Sequence, residues 1–346
     1  MNRSCVTTLG IFIALAALIV AMLAWLTPFS PIGPSPLAPK DTEEPSIVAT
    51  SLATAAVQSS EFTNTIITRT IRLPSGHEVV QVFVPSGSFL MGSEDGEDIE
   101  RQVFRITLTS FWINQTEVTN AQFQAFVSYT GYQTTAERKG RAWTWTGNDF
   151  DYVDGAYWRH PQGPNSNIVG LENHPVVHVS WEDASAFCAW SGHDNNSAAL
   201  PTEAQWEYAA RGPNSLTYPW GNKFDCRFAN IDDEIIIDSI TVQGEAVCDG
   251  YDQAAPVGSF PRGASWVGAL DMTGNVWEWV NDWYDSDYYG ALPAPVEDPQ
   301  GPSEGTTKVI RGGGWSPYPR IVRPTQRSYA TPDSYNLDIG FRCAQK

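Results

Sequence analysis

The sequence predicts an α+β fold: one loop-rich domain with few helices and short strands, behind an apolar N-terminal anchor. Three observations point there. The 346 residues include 28 Gly and 24 Pro, which interrupt a chain too often for a helix bundle. The 14 Trp supply large aromatic anchors around which irregular segments can pack. The periodic stretches that remain are short and mixed, some alternating and some with helical spacing. Charge removes other classes. With 17% charged and 12% aromatic residues, a wholly disordered chain is excluded. A net charge of −18 argues against a protein that holds phosphate backbones, which needs a basic face.

Residues 9–26 form an uninterrupted apolar run without a charge. As a helix it would span about 27 Å, near the thickness of a bilayer's hydrocarbon core. Arg3 is the only nearby charge. The positive-inside rule therefore puts residues 1–8 in the cytosol and the rest outside, in the periplasm or at the cell surface. After Ala24 the chain reads Trp25-Leu26-Thr27-Pro28, without a small-x-small cleavage pattern. This favours an uncleaved anchor over a cleaved signal peptide, and both readings export the chain. Cys5 precedes the run, so it is not placed like a lipoprotein cysteine. Residues 27–64 are rich in Pro, Ser and Thr and bury too little surface to order themselves. They are expected to be a disordered linker, kept extended by Pro28, Pro31, Pro34, Pro36 and Pro39. Residues 65–346 remain for the globular domain.

Within that domain, residues 78–84 alternate and stop at Pro85-Ser86-Gly87, which predicts a strand. Residues 104–111 also alternate, with Phe104, Ile106 and Leu108 on one side. Residues 117–129 have helical spacing through Val118, Ala121, Phe123, Ala125 and Phe126. Ser180-Trp181-Glu182-Asp183 and Thr202-Glu203-Ala204-Gln205 are capping patterns. They open helices through Trp190 and Ala210, the second closed by Gly212-Pro213. Beyond Gly221 no long periodic stretch and no repeat appears, only loops, short strands and Trp. His174 and His178 have a metal-ligand spacing for a helix. Pro175 and the valines between and after them predict a strand instead, where the pair would be ~13 Å apart, too far to share an ion. Asp282, Asp285 and Asp287 with Tyr284, Tyr288 and Tyr289 could bind a sugar or a cation, but a solvated loop is the expectation. No Ser-His-Asp signature, phosphate loop or nucleic-acid module is present.

Eight segments together resemble one family. They are residues 84–93 (Val84-Pro85-Ser86-Gly87 onward), Glu117-Val118-Thr119-Asn120, residues 174–181 and Leu200-Pro201-Thr202-Glu203 with Trp206-Glu207-Tyr208. Then come Tyr218-Pro219-Trp220-Gly221-Asn222, residues 271–279 with Trp277-Glu278-Trp279, Arg311-Gly312-Gly313-Gly314-Trp315 and Gly340-Phe341-Arg342-Cys343. In this order they are similar to the formylglycine-generating enzymes, or sulfatase-modifying factors, across residues 80–346. The resemblance implies a single compact C-type-lectin-like domain. It also implies oxidation of a sulfatase cysteine to formylglycine with O2 and copper(I), a soft ion that two thiolates would hold. In the family both thiolates lie between Arg-Gly-Gly and Gly-Phe-Arg-Cys. Here that interval contains neither cysteine nor histidine. Gly314 stands where the active enzymes have serine, and Asp338 where they have asparagine. Copper chemistry is therefore not expected. Trp277 matches a tryptophan of the family's oxygen pocket, although a core role is the more economical reading.

The resemblance also implies a disulfide between Cys188 and Cys343. The family's second core disulfide would need cysteines at Ala210 and Pro324, which leaves Cys226 and Cys248 as a second pair. Four cysteines allow three connectivities, and metal binding is the competing role. In an oxidising compartment, without a Cys-x-x-Cys spacing, disulfides are the expectation. Two structural calcium sites are implied, at Asn230, Ile231, Asp249 and Tyr251, and at Asp271, Gly274, Val276 and Glu278. Oxygen ligands from irregular loops suit that ion. The alternative is that these acids are simply solvated.

Three functions follow as expectations. The first is an exported, membrane-tethered family member without copper chemistry, acting as a binding or maturation-accessory module for an unknown protein, peptide or glycan. Its pocket would be built from Trp277, Trp315, Tyr318, Arg323 and Arg327. The second is a family-type enzyme, a formylglycine-generating oxidase or a divergent oxidoreductase, with a different active site. The third is a structural cell-envelope protein that mediates contacts. No nucleic-acid partner is expected.

Overall fold

A computed structural model describes residues 65–192, 197–231, 249–292, 296–315 and 322–346. The apolar run 9–26, the linker 27–64, Tyr318 and Cys248 lie outside these residues. Among the described residues no helix is long and apolar enough to cross a membrane.

The alternation at residues 78–84 becomes a strand with one face buried at Val79 and Gln81 and the other buried only at Val82 and Val84. β1 (Thr68–Arg72) pairs antiparallel with β2 (Glu78–Val84), Thr68 opposite Val82. Val82 and Val84 point into one core cluster, and Val79 into another. Gln81 is buried too, and its amide donates to Asn114 Oδ1 at 3.1 Å. β2 continues to β5 (Phe111–Asn114), then β14 (Ala344–Gln345), then β8 (Ala198–Ala199), all antiparallel. The C-terminal strand thus lies inside a five-stranded sheet, between β5 and β8.

The run 104–111 is not one strand. β4 (Phe104–Leu108) pairs with β3 (Gly87–Met91) in a separate three-stranded sheet, completed by β10 (Val296–Glu297). The turn at residues 109–110 passes the chain from that sheet to β5. The remaining pieces are a hairpin, β6 (Arg141–Trp145) with β7 (Phe150–Asp154), and a four-stranded sheet. In the latter, β9 (Trp277–Trp283) lies between β11 (Lys308–Arg311), antiparallel, and β13 (Ile339–Phe341), parallel, with β12 (Arg327–Ala330) outside β11.

The helices start where four-residue capping chemistry permits. α1 (Asn120–Thr130) is capped by Thr119 and Gln122, α2 (Thr135–Lys139) by Thr134 and Glu137, α3 (Trp181–Ser191) by Ser180 and Asp183, and α4 (Glu203–Arg211) by Thr202 and Gln205. Val118 precedes α1 rather than lying in it. It joins Phe123 in one cluster, the arrangement of a hydrophobic staple. α1 ends at Gly131, whose φ of 71° is the left-handed closure that glycine adopts without strain. A short α5 (Tyr288–Ala291) follows β9.

Two large apolar clusters hold these elements. One gathers Trp206 and Tyr208 of α4 with Val82, Phe89, Ile106 and Ile113. The other gathers Phe123, Trp158, Phe187, Trp279 and Phe341, with the Phe187 and Phe341 rings 5.4 Å apart and edge-on. Cys188 of α3 and Cys343 are joined by a disulfide in that second cluster, Cα atoms 5.6 Å apart. Cys226 is also disulfide-bonded.

Two local expectations are corrected. The segment 174–179 is not a strand. It makes a single bridge from Pro175 to Thr119, and His178 is buried with φ of 57°. Its ring bonds to the Pro161 carbonyl at 2.8 Å, and burial pushes its pKa down to about 4, so it is neutral. Asp282 is not in a solvated loop. β9 carries it inside, 1% exposed, and Tyr289 is buried as well.

Candidate functional site

Four strands and one loop line a cleft of about 320 Å³. Trp277 opens β9. Arg327, Ser328, Tyr329 and Ala330 are β12, Gln326 precedes it, and Asn336 and Asp338 lie in the loop that enters β13. The backbone fixes this meeting. Parallel pairing of β13 on β9 sets Ile339 beside Trp277, and Trp277 N–H donates to the Asp338 carbonyl at 2.8 Å. The Asn336 carbonyl accepts from His178 N–H at 2.9 Å, which ties the loop to the buried histidine.

The polar groups around the cleft divide into those with partners and those without. Arg327 is held by Glu203 through two hydrogen bonds of 2.5 and 2.9 Å, and its guanidinium lies over the Tyr284 and Tyr289 rings. Gln326 Oε1 is buried with no donor. Burial pushes the Asp338 carboxyl up to about 6. Part of its surface still reaches solvent, so it faces the cleft rather than the core. A desolvated acid in a concave site lined by two amides is the arrangement expected where a ligand is taken.

Of the five pocket residues expected from the sequence, the cleft brings together Trp277 and Arg327. Trp315 packs elsewhere, against Val177, Val276 and Leu337. Arg323 is not free to meet a ligand: its Nη2 donates to Glu100 Oε1 at 3.0 Å. Gln326, Ser328, Asn336 and Asp338 were not expected as site residues. The departure at Asp338 from the resembled pattern was the one signal pointing to them. A recess of about 480 Å³ over α1, lined by Ser75, His77, Gln124 and Tyr129 among others, contains none of the expected residues.

The first calcium set has features of a cation site. Asp249 accepts from the backbone N–H of Ile231 at 2.8 Å and of Tyr251 at 2.9 Å. Asn230 donates to the Gln253 carbonyl and to Asn275 Oδ1, leaving its own Oδ1 buried without a partner. An orphaned buried oxygen is what a hard cation would satisfy. The second set does not fit. Both Glu278 oxygens accept from Arg342 at 2.7 Å, and Oε2 also accepts from Trp206 Nε1 at 2.9 Å. Gly274 is close-packed, since a Cβ there would lie 2.0 Å from the Asn230 carbonyl. Asp271 accepts from Gly258 N–H at 2.6 Å and is raised by burial, as is Glu117 beside it. Among the described residues no three His, Cys, Asp or Glu side chains converge as a metal site.

The profile of the sulfatase-modifying factor enzyme 1-like domain matches residues 72–346. The chain belongs to this family. It is 40% identical over 292 residues to the formylglycine-generating enzyme of Thermomonospora curvata, covering 76% of this chain and 92% of the relative. It is 35% identical over 301 residues to the inactive Cα-formylglycine-generating enzyme 2 of Mus musculus, covering 79% and 88%. Among solved structures, PvdO from Pseudomonas aeruginosa superposes with a TM-score of 0.61 at 26% identity, over 80% of this chain and 98% of that one. The relatives thus include one named a formylglycine-generating enzyme and one named inactive. Against that background the cysteines matter: Cys188, Cys343 and Cys226 are all disulfide-bonded, and residues 312–342 contain none.

Proposed function

We propose that this protein is an exported, membrane-tethered member of the sulfatase-modifying factor family that binds a ligand in the Trp277–Asp338 cleft and does not make formylglycine by copper chemistry. One observation carries the reading: residues 312–342 contain no cysteine, and Cys188, Cys226 and Cys343 are disulfide-bonded. Copper(I) needs soft sulfur ligands, and a disulfide sulfur is not a thiolate. The kinship to a relative named inactive supports the same reading. Export is supported by the disulfides, which persist in oxidising compartments, and anchoring by the apolar run 9–26. Structural calcium at Asn230, Ile231, Asp249 and Tyr251 belongs to this proposal. Bound there, the ion would fasten two loops together, with Asn230 Oδ1 as one ligand.

The purified full-length chain, incubated with copper(I), O2 and a cysteine-containing sulfatase peptide, is expected to leave the peptide unchanged by mass. Metal analysis of the same sample is expected to find calcium and no stoichiometric copper. Formylglycine formation would overturn the reading. The cleft favours a second reading, because it is open and polar and holds an acid that titrates near neutrality. That reading is an enzyme of the family with a different active site, using Asp338 as a general acid or base.

A further inference from the structure

We propose that Asp338, Gln326 and Asn336 form a receptor for a primary ammonium group, so that the ligand is an alkylamine or presents a lysine side chain. The inference rests on the reading of the cleft as a binding site and gives that site a chemical class. Among the described residues the Asp338 carboxylate meets only its own backbone N–H, the Asn336 carboxamide has no hydrogen bond, and Gln326 Oε1 is buried without a donor. The cleft therefore offers three acceptors, one of them charged, to which no other described residue donates. An ammonium brings three donors and no acceptor, which complements that set. A guanidinium would bring five donors in a planar fork, suited to a bidentate carboxylate rather than to one carboxylate and two amides. The resident cation cannot substitute, because Glu203 holds Arg327. Trp277 also lines the cleft, and an indole is the aromatic ring that attracts cations best.

The charges on the neighbouring strands do not compete. Glu278 of β9 is paired with Arg342, Arg311 of β11 with Glu207, and Arg327 of β12 with Glu203. His178, behind the loop, stays neutral above about pH 4. Burial is what raises Asp338 to about 6. Ammonium binding is therefore expected to weaken as pH falls through that value, because the carboxylate is then protonated.

The test is calorimetric titration of the full chain with Nα-acetyl-lysine methylamide, with its analogue bearing a hydroxyl in place of the ammonium, and with the arginine counterpart. At about pH 7.5 the amine is expected to bind about tenfold more tightly than the hydroxyl compound. That preference should vanish at about pH 5 and in Asp338→Asn. Asp338→Ser gives a second uncharged variant, and thermal melts check that both are folded. Equal binding of amine and hydroxyl, an unchanged preference in both variants, tighter binding of the arginine compound, or no binding of the amine would each overturn the ammonium assignment. Equal binding would leave the binding-module reading intact. Copper-dependent formylglycine formation would overturn that reading while leaving an amine preference in place.

Discussion

The interior beneath α4 and the cleft beside β12 are built from neighbouring strands, yet they treat charge in opposite ways. In the interior beneath α4 three glutamates meet arginine. Glu203 is paired with Arg327 and Arg311, Glu207 with Arg211 and Arg311, and Glu278 with Arg342, all with side chains no more than 8% exposed. Burial alone would raise Glu207, but Arg311 and Arg211 hold it below its usual value. In the cleft, Asp338 has no such partner among the described residues. Buried charge by itself therefore does not mark function on this scaffold, because most of it is matched within the fold. The unmatched group is the informative one.

The largest effect is expected from breaking the interior. Arg342 donates to both oxygens of Glu278 and to the carbonyls of Asn114, Gln115 and Leu270. Arg342→Met would leave a carboxylate uncompensated in the core, at a cost of ~3–5 kcal/mol in denaturant unfolding. A loss under about 1 kcal/mol would remove the distinction between the two regions.

Asp282 departs from this pattern inside the interior and sharpens the comparison. Its Oδ2 accepts from Glu203 N–H at 2.8 Å, while Oδ1 is buried without a partner. Burial, and then Glu203, push it up to about 7. Between the ordinary carboxylate value and about 7 the folded state keeps a proton that the unfolded state has released. Its contribution to stability is therefore lost as pH rises through that window. Asp282→Asn imitates the protonated acid. The variant should gain on the order of 2 kcal/mol relative to the parent between about pH 4 and pH 8, read from melts at each pH. Parallel pH profiles for the two proteins would show that Asp282 ionises normally.

The sequence-derived picture was good where the deciding chemistry is local. The Ser180 and Thr202 boxes are four-residue signals, and their helices start there. The Thr134 box is equally local, but its five-residue helix has no apolar period to advertise it. Asp282 was misread because its acidic neighbours Asp285 and Asp287 are exposed, whereas β9 turns Asp282 inward. Arg323 and Arg327 looked like free pocket cations, because their partners Glu100 and Glu203 are 223 and 124 residues away. The cleft is non-local for the same reason. Trp277 reaches Asp338 only through the β9–β13 pairing, which no spacing in the sequence encodes.

A smaller effect is expected in the cleft. Asp338 has the same sign as Asp282: its raised folded pKa means that stability falls as pH rises from about 4 to about 6. Its partial exposure lets solvent screen the charge. Asp338→Asn should therefore gain only about 1 kcal/mol over the parent across that range. A bound amine should erase the difference by pairing the carboxylate. A gain as large as that of Asp282→Asn would place Asp338 in the interior class rather than in a ligand site.

The smallest effect tests whether distance or burial sets the worth of a charge pair. Lys139 Nζ lies 2.6 Å from Asp333 Oδ2, no farther apart than the 2.7 Å between Arg342 and Glu278. The first pair is 48% and 57% exposed, and the second is fully buried. The Asp333 hydrogen bond raises the Lys139 pKa, but water competes for both partners, and holding two flexible side chains costs entropy. Lys139→Ala should therefore change unfolding free energy by less than about 0.5 kcal/mol, a change that added salt should reduce further. A loss near that of Arg342→Met would mean that proximity governs. The matched interior and the exposed pair would then be one class, and the missing partner at Asp338 would lose its meaning as a marker.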